Sequence, residues 1–125
     1  MTVRPNLVVL RVADLEVARA FYTALGLDLR SEQHGSGPAH FSHEAGGFVF
    51  ELYPRRRPAD STVATRLGFE VPTLDAALLA RLRDAGGVVV SEPARVEPSG
   101  RCAVVRDPDG HAIELREPSP PEATG

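Results

Sequence analysis

Arg106-Asp107-Pro108-Asp109-Gly110-His111-Ala112-Ile113-Glu114-Leu115-Arg116 reads as a tight turn feeding a β-strand. Pro108 presets φ, the two aspartates can hold neighbouring backbone N–H groups, and Gly110 tolerates positive φ. In the strand that follows, Ile113 and Leu115 point one way while Ala112, Glu114 and Arg116 point the other. An earlier stretch, Phe48-Val49-Phe50-Glu51-Leu52-Tyr53-Pro54, has the same character: an apolar residue, a glutamate, a leucine, then a proline. Each glutamate thus sits on the face opposite a strongly apolar one.

The bounds around these stretches are narrow. With 125 residues, the chain is long enough for one domain, or for two small modules that share one. Its composition, 42% apolar and 25% charged, is that of an ordinary globular protein. A formal net charge of −3 argues against general attraction to nucleic acid or to an anionic membrane surface. The run Arg55-Arg56-Arg57 is too short to reverse that and is expected in a solvated loop. Cys102 is the only cysteine, so an intrachain disulfide is impossible and a reducing compartment fits. It alternates with apolar neighbours, which predicts a buried, inert thiol. No stretch approaches the roughly 20 apolar residues of a membrane span, and none resembles a signal peptide. A cytoplasmic location is expected.

Taken in order, residues 6–12 alternate as a strand, and Asp14 stands where a helix N-cap belongs. Leu15, Ala18, Phe21, Tyr22 and Leu25 follow at helical spacing, closed by Gly26. Strands are predicted over 27–32, 40–44 and 48–53, separated by turns at Gly35, Gly37, Pro38 and at Gly46-Gly47. A polar, unpatterned linker covers 55–64. The order then begins again: a strand over 65–71, a helix capped by Thr73 and ended at Gly86-Gly87, and strands over 88–91, 101–106 and 112–117. The Pro- and Ser-rich tail, 118–125, is expected to be disordered.

The halves therefore repeat, as modules 1–54 and 65–117 of a single domain. Val12-Ala13-Asp14-Leu15-Glu16 matches Val71-Pro72-Thr73-Leu74-Asp75, and Phe50-Glu51-Leu52 matches Ile113-Glu114-Leu115. Each is strand, helix and three strands, one strand more between or after the helix than a ferredoxin-like unit allows. The first and last strands of each module carry one apolar face, suited to lie under the helix. Their other faces are mixed: Leu7, Val9 and Arg11; Val49, Glu51 and Tyr53; Arg66, Gly68 and Glu70; Ala112, Glu114 and Arg116. From these faces Leu7, Val9, Arg11, Val49, Tyr53, Arg66, Glu70 and Arg116 are taken as ligand-binding residues.

In these features the chain resembles the vicinal oxygen chelate superfamily, the glyoxalase/bleomycin resistance/dioxygenase group. The resemblance is carried by Leu10-Arg11-Val12-Ala13-Asp14-Leu15 with Phe21-Tyr22 and Leu25-Gly26-Leu27, by Phe50-Glu51-Leu52, by Phe69-Glu70-Val71-Pro72, and by Asp107-Pro108-Asp109-Gly110-His111 with Ile113-Glu114-Leu115. It implies an α+β fold of two tandem βαβββ modules, a cupped mixed sheet with helices on the outer face, commonly as a homodimer. It also implies, in metal-using members, one ligand in the first and one in the last strand of each module. Carried over, those positions are Leu7 and Glu51, then Arg66 and Glu114. Leucine has no lone pair, and arginine offers only donors and a repelling charge. Two carboxylates fall short of the three protein ligands of a catalytic zinc site. The expectation is no metal cofactor; any ion would rest on Glu51 and Glu114. His40 and His43 are three apart on a strand and so face opposite ways, His111 has the wrong parity for Glu114, and His34 lies in a loop. All four histidines are expected on surfaces and turns.

Without a metal, Glu51, Arg66 and Glu114 form an expected buried ion-pair triad in which the guanidinium stands in for the cation. Three functions follow. The first is a protein that binds a small, partly apolar molecule, such as an antibiotic or other secondary metabolite, in the sheet cleft. The second is a metal-independent isomerase, epimerase or cyclase with Glu51 or Glu114 as catalytic general base. The third is a metal-dependent glyoxalase-like lyase or dioxygenase.

Overall fold

The structure is a computed structural model that describes residues 2–98 and 100–119. Strand β1 (Leu7–Val12) passes into helix α1 (Leu15–Leu25) through Asp14, whose carboxylate accepts the Val17 N–H at 3.0 Å. The helix stops at Gly26, whose N–H donates to the carbonyls of Tyr22 and Thr23. Three strands follow, β2 (Arg30–Glu32), β3 (His40–Ala45) and β4 (Phe48–Pro54). Their sheet has the order β1-β4-β3-β2: β1 and β4 are parallel neighbours, and the other pairs are antiparallel. Gly46 and Gly47 form the two-residue turn between β3 and β4, both with positive φ, as the primed hairpin turns require. Ala18, Phe21 and Tyr22 are the buried stripe of α1, and the Tyr22 ring meets Phe50 of β4 at 4.9 Å.

The second unit repeats this design. Strand β5 (Leu67–Glu70) leads to helix α2 (Ala76–Asp84), then β6 (Val88–Val96), β7 (Gly100–Arg106) and β8 (Ala112–Glu117). The sheet order is β5-β8-β7-β6, again with a parallel first–last pair. Leu78, Leu79 and Leu82 are buried on α2, and Ala103, Val105, Ile113 and Leu115 are buried on the sheet. The chain is thus α+β, two βαβββ modules, and divides into compact units Met1–Thr62 and Val63–Gly125. Between β4 and β5 the chain is mostly exposed, with one short 3-10 turn at Pro58–Asp60, and Arg55, Arg56 and Arg57 are solvated there. No helix among the described residues is long and apolar enough to cross a membrane.

Three elements differ from the sequence expectation, each for a physical reason. Strand β2 starts at Arg30 rather than at residue 27, because the Leu27 N–H bonds Tyr22 O and the Asp28 N–H bonds His43 Nδ1. Helix α2 is capped by Asp75, not Thr73: the Asp75 carboxylate accepts the Leu78 N–H at 2.9 Å. Leu74 is withheld from the helix because its N–H goes to Glu117 at 2.6 Å and its carbonyl accepts from Arg101 at 2.7 Å. Strand β6 runs on to Val96 past Pro93, since its pairing with β7 shifts twice, between Val89 and Ser91 and between Ser91 and Ala94. Pro93 is tolerated because β6 is an edge strand and is bulged there. Of the tail expected to be disordered, residues 120–125 lie outside the described residues.

The turn before β8 is a closed polar unit. Asp107 Oδ1 accepts the N–H groups of Asp109, Gly110 and His111 at 2.9–3.0 Å, and Oδ2 accepts from His111 Nδ1 at 2.8 Å. Both residues are buried: His111 lies at the turn, as the sequence suggests, with its ring turned inward. Removing the carboxylate takes away an acceptor shared by three N–H groups and the buried imidazole, although the Gly110 N–H keeps the Asp107 backbone carbonyl at 2.9 Å. Asp107→Ala is expected to destabilise the protein by about 3–5 kcal/mol, as loss of one member of a buried charged network does. Asp107→Asn, which keeps Oδ1, should cost clearly less. Urea denaturation measures both, and an Asp107→Ala loss under about 1 kcal/mol would refute this account of the turn.

Candidate functional site

On the first sheet the β1–β4 register sets Leu7 opposite Val49, Val9 opposite Glu51 and Arg11 opposite Tyr53. Because alternate residues share a face, all six lie on the side opposite the buried Leu10, Val12, Phe50 and Leu52. Leu7 is exposed and the other five are half-buried. Arg11 stands over the Tyr53 ring at 4.9 Å, and that ring stacks on His40 at 4.2 Å with 9° between planes. His40 in turn pairs with Glu32 across β2–β3. One row therefore crosses the sheet: Arg11, Tyr53, His40, Glu32.

His40 is the residue that sequence reasoning misplaced. It is 2% exposed, not a surface side chain. Its Nδ1 lies 3.2 Å from the Pro38 carbonyl, and its Nε2 faces Glu32 Oε2 at 3.3 Å, Glu51 Oε2 at 3.4 Å and the Tyr53 hydroxyl at 3.4 Å. His34 Nε2 also reaches Glu32 Oε2, at 3.3 Å. Testing histidine pairs within single elements misses this group, which draws on β2, the loop after it, and β3. A cavity of about 700 Å³ opens beside the row, lined by Arg11, Pro38, Tyr53, Arg56, Arg57, Asp60 and Thr62. There the Arg57 guanidinium, hydrogen-bonded to Asp60 at 3.0 Å, holds that carboxyl below its usual range.

On the second sheet, Gly68 lies opposite Glu114 and Glu70 opposite Arg116, with Val104 and Cys102 across from the same two β8 residues. Arg66 Nη2 donates to Glu114 Oε2 at 3.0 Å, and Arg116 pairs with Glu70. Together these residues line a groove of about 600 Å³ with Phe69, Ser91, Ala94 and Val96. Arg66 and Glu114 are 64% and 48% exposed, so this pair is a solvent-facing one, not the buried ion pair expected from sequence. Cys102 is half-buried in the groove wall, where a fully buried thiol was expected.

The positions implied for a family metal do not fit one. In the first unit, Leu7 shares the face of Glu51 but offers only hydrocarbon and pairs with Val49, while Val9 stands opposite Glu51; in the second, the Arg66 guanidinium already engages Glu114. Each unit offers one carboxylate there, which is fewer ligands than a protein-bound zinc ion takes.

Paired βαβββ modules with a mixed face on each sheet define the fold class, and comparison with known proteins places the chain within it. The model of the Glyoxalase/Bleomycin resistance protein/Dioxygenase superfamily matches residues 4–115, and the chain belongs to that family. It is similar to a lactoylglutathione lyase of Arabidopsis thaliana, 34% identical over 90% of this chain and 44% of the relative, so the chain spans less than half that protein's length. Among solved structures it is similar to TnmS3, an antibiotic binding protein from Streptomyces sp. CB03234, with a TM-score of 0.72 and 30% identity over 94% of this chain and 98% of that one. A glyoxalase/bleomycin resistance protein from the same organism aligns with a TM-score of 0.69 and 29% identity, over 91% of this chain and 100% of that one.

Because Arg66 and Glu114 pair in solvent, their link should add under about 1 kcal/mol to stability. Arg66→Ala is expected to leave the urea midpoint almost unchanged. A loss above about 2 kcal/mol would mean that the pair is structurally buried in solution.

Proposed function

We propose that this protein binds a small, partly apolar molecule, of the antibiotic or secondary-metabolite class, in the second-unit groove and without a metal. The groove carries the reading. Its volume falls within the range of small-molecule sites, and its wall alternates apolar surface from Phe69, Ala94, Val96 and Val104 with the two charge pairs. Apolar wall supplies affinity, and the guanidiniums and carboxylates supply donors and acceptors to hydroxyl and carbonyl groups. The resemblance to an antibiotic binding protein over nearly the whole chain supports the same reading. The mixed face of the first sheet repeats the design with Leu7, Val9, Arg11, Val49, Glu51 and Tyr53. The homodimer that the family resemblance implies is proposed with it, supported by Val88 and Val90, both more than half exposed on edge strand β6.

A second reading rests on one observation: Glu51 is largely shielded, at 16% exposure, and its carboxylate faces His40. A shielded carboxylate with an adjacent imidazole is a plausible general base for a metal-independent isomerase, epimerase or cyclase. The lactoylglutathione lyase relative supports a third, metal-dependent reading, against which the donor set at the four family positions counts.

Calorimetric titration of EDTA-treated protein with a panel of aromatic and peptide antibiotics tests the binding reading. At least one should bind with micromolar or tighter affinity, and a Val104→Phe substitution, which fills the groove, should weaken it at least tenfold. Equal affinity in Val104→Phe would remove the groove as the site, and affinity that vanishes with EDTA would end the metal-free reading. For the second reading, turnover of any substrate found should follow a bell-shaped pH profile and fall by about 10²–10⁴-fold in Glu51→Gln. Unchanged turnover in that variant excludes Glu51 as the base.

A further inference from the structure

The geometry points to a binding site for a first-row divalent metal ion of the zinc type, formed by Glu32, His34 and His40. It lies apart from the four family positions and goes beyond the binding proposed above. One ligand atom from each of the three residues lies within 4.8 Å of the other two. Glu32 Oε2 is 3.3 Å from His34 Nε2 and 3.3 Å from His40 Nε2. Ligands about 2.0–2.1 Å from a tetrahedral zinc ion stand about 3.3–3.4 Å apart, so both spacings are those of a coordination edge.

The tautomer of His40 agrees. A carbonyl oxygen only accepts, so the Nδ1 facing Pro38 O is the protonated nitrogen, and a neutral ring then turns the Nε2 lone pair toward Glu32 and Glu51. This is the outer-sphere bond that usually orients a metal-bound imidazole. The stacked Tyr53 ring holds the imidazole plane. Two carboxylates and the His40 lone pair converge here, with the Tyr53 hydroxyl also 3.4 Å from Nε2, and a cation among them would neutralise the carboxylates. Glu51 Oε2, at 3.4 Å from His40 Nε2, is placed to join as a further ligand or to accept from a bound water. His34, 76% exposed, leaves the ion a path in from solvent. Two imidazoles with one carboxylate suit zinc, cobalt or nickel, whereas magnesium and calcium prefer all-oxygen sites. Three protein ligands leave a position open for water or for a ligand group.

The test is titration of the EDTA-stripped, dialysed 125-residue chain with Co²⁺, read by visible d–d absorption, and with Zn²⁺, read by calorimetry. One equivalent should bind, with the intense bands of four- or five-coordinate cobalt, and millimolar Mg²⁺ should not compete. His34→Ala removes a largely exposed side chain, so the fold should persist, as circular dichroism will check. It should weaken Zn²⁺ more than about 100-fold, beyond the 10- to 100-fold typical of losing an outer-sphere partner. Glu32→Gln should do the same, and His43→Ala, on the same strand as His40 but outside the group, should change nothing. Absence of stoichiometric binding would overturn the proposal, leaving the group a proton-sharing network. So would affinity unchanged in both His34→Ala and Glu32→Gln, or lost only in His43→Ala. Antibiotic binding in EDTA reads the groove alone, so each proposal can fail without the other.

Discussion

In each unit the first and last strands lie side by side and parallel, and this pairing governs the rest. A parallel pair needs a crossover, and here the crossover is the helix followed by two antiparallel strands that return the chain to the first strand's neighbour. Burying Leu10, Val12, Phe50 and Leu52 in one unit, and Ile113 and Leu115 in the other, fixes which side of the pair faces the core. Since side chains alternate, a slip of one residue would put Glu51 or Glu114 into that core. The polar face is therefore a consequence of the apolar one, and chemistry on it can vary while the packing stays constant.

The same period-two logic made much of the molecule legible beforehand. Helix α1, its Asp14 cap and Gly26 stop, strand β8 and the Asp107 turn are all local patterns, and the internal repeat exposed the module count. What escaped depends on contacts between distant residues. Nothing near Leu74 announces that Glu117 and Arg101 will hold its backbone, so Thr73 looked like the cap that Asp75 is. The full length of β6 depends on bulges set by its partner β7. His40 is the sharper case. Its neighbours on the chain are ordinary strand residues, and its character comes from Glu32, Glu51 and Tyr53 on the flanking strands. Parity within a strand assigned its face; only the register across strands shows its company.

Two of the four positions that the resemblance implies carry no ligand donor, and the structure answers the remaining carboxylate differently in each unit. In the second, Arg66 neutralises Glu114 at the surface, and Arg116 does the same for Glu70. In the first, Glu51 is shielded and faces an imidazole, itself shared with Glu32. These are different electrostatic situations. An exposed Arg–Glu pair contributes about 0–1 kcal/mol, so either partner can turn to a ligand at little cost. A shielded carboxylate beside a buried imidazole cannot be left without a counter-group so cheaply.

That contrast bears on how discrimination could arise. Surface pairs that exchange partners easily are tolerant: hydroxyl, carbonyl or carboxylate groups can each replace one member of the pair. For the binding proposed in the second-unit groove, selectivity would then come from shape, set by Phe69, Val96 and Val104, more than from charge. The first-unit row has the opposite character. His40 is fixed by a backbone carbonyl on one nitrogen and by a stacked ring on its face, so its other nitrogen is aimed at the group formed by Glu32, Glu51 and the Tyr53 hydroxyl. A lone pair directed in this way selects for a particular geometry of partner. Two modules of one design thus present one adaptable surface and one demanding one, although the strand order beneath both is the same.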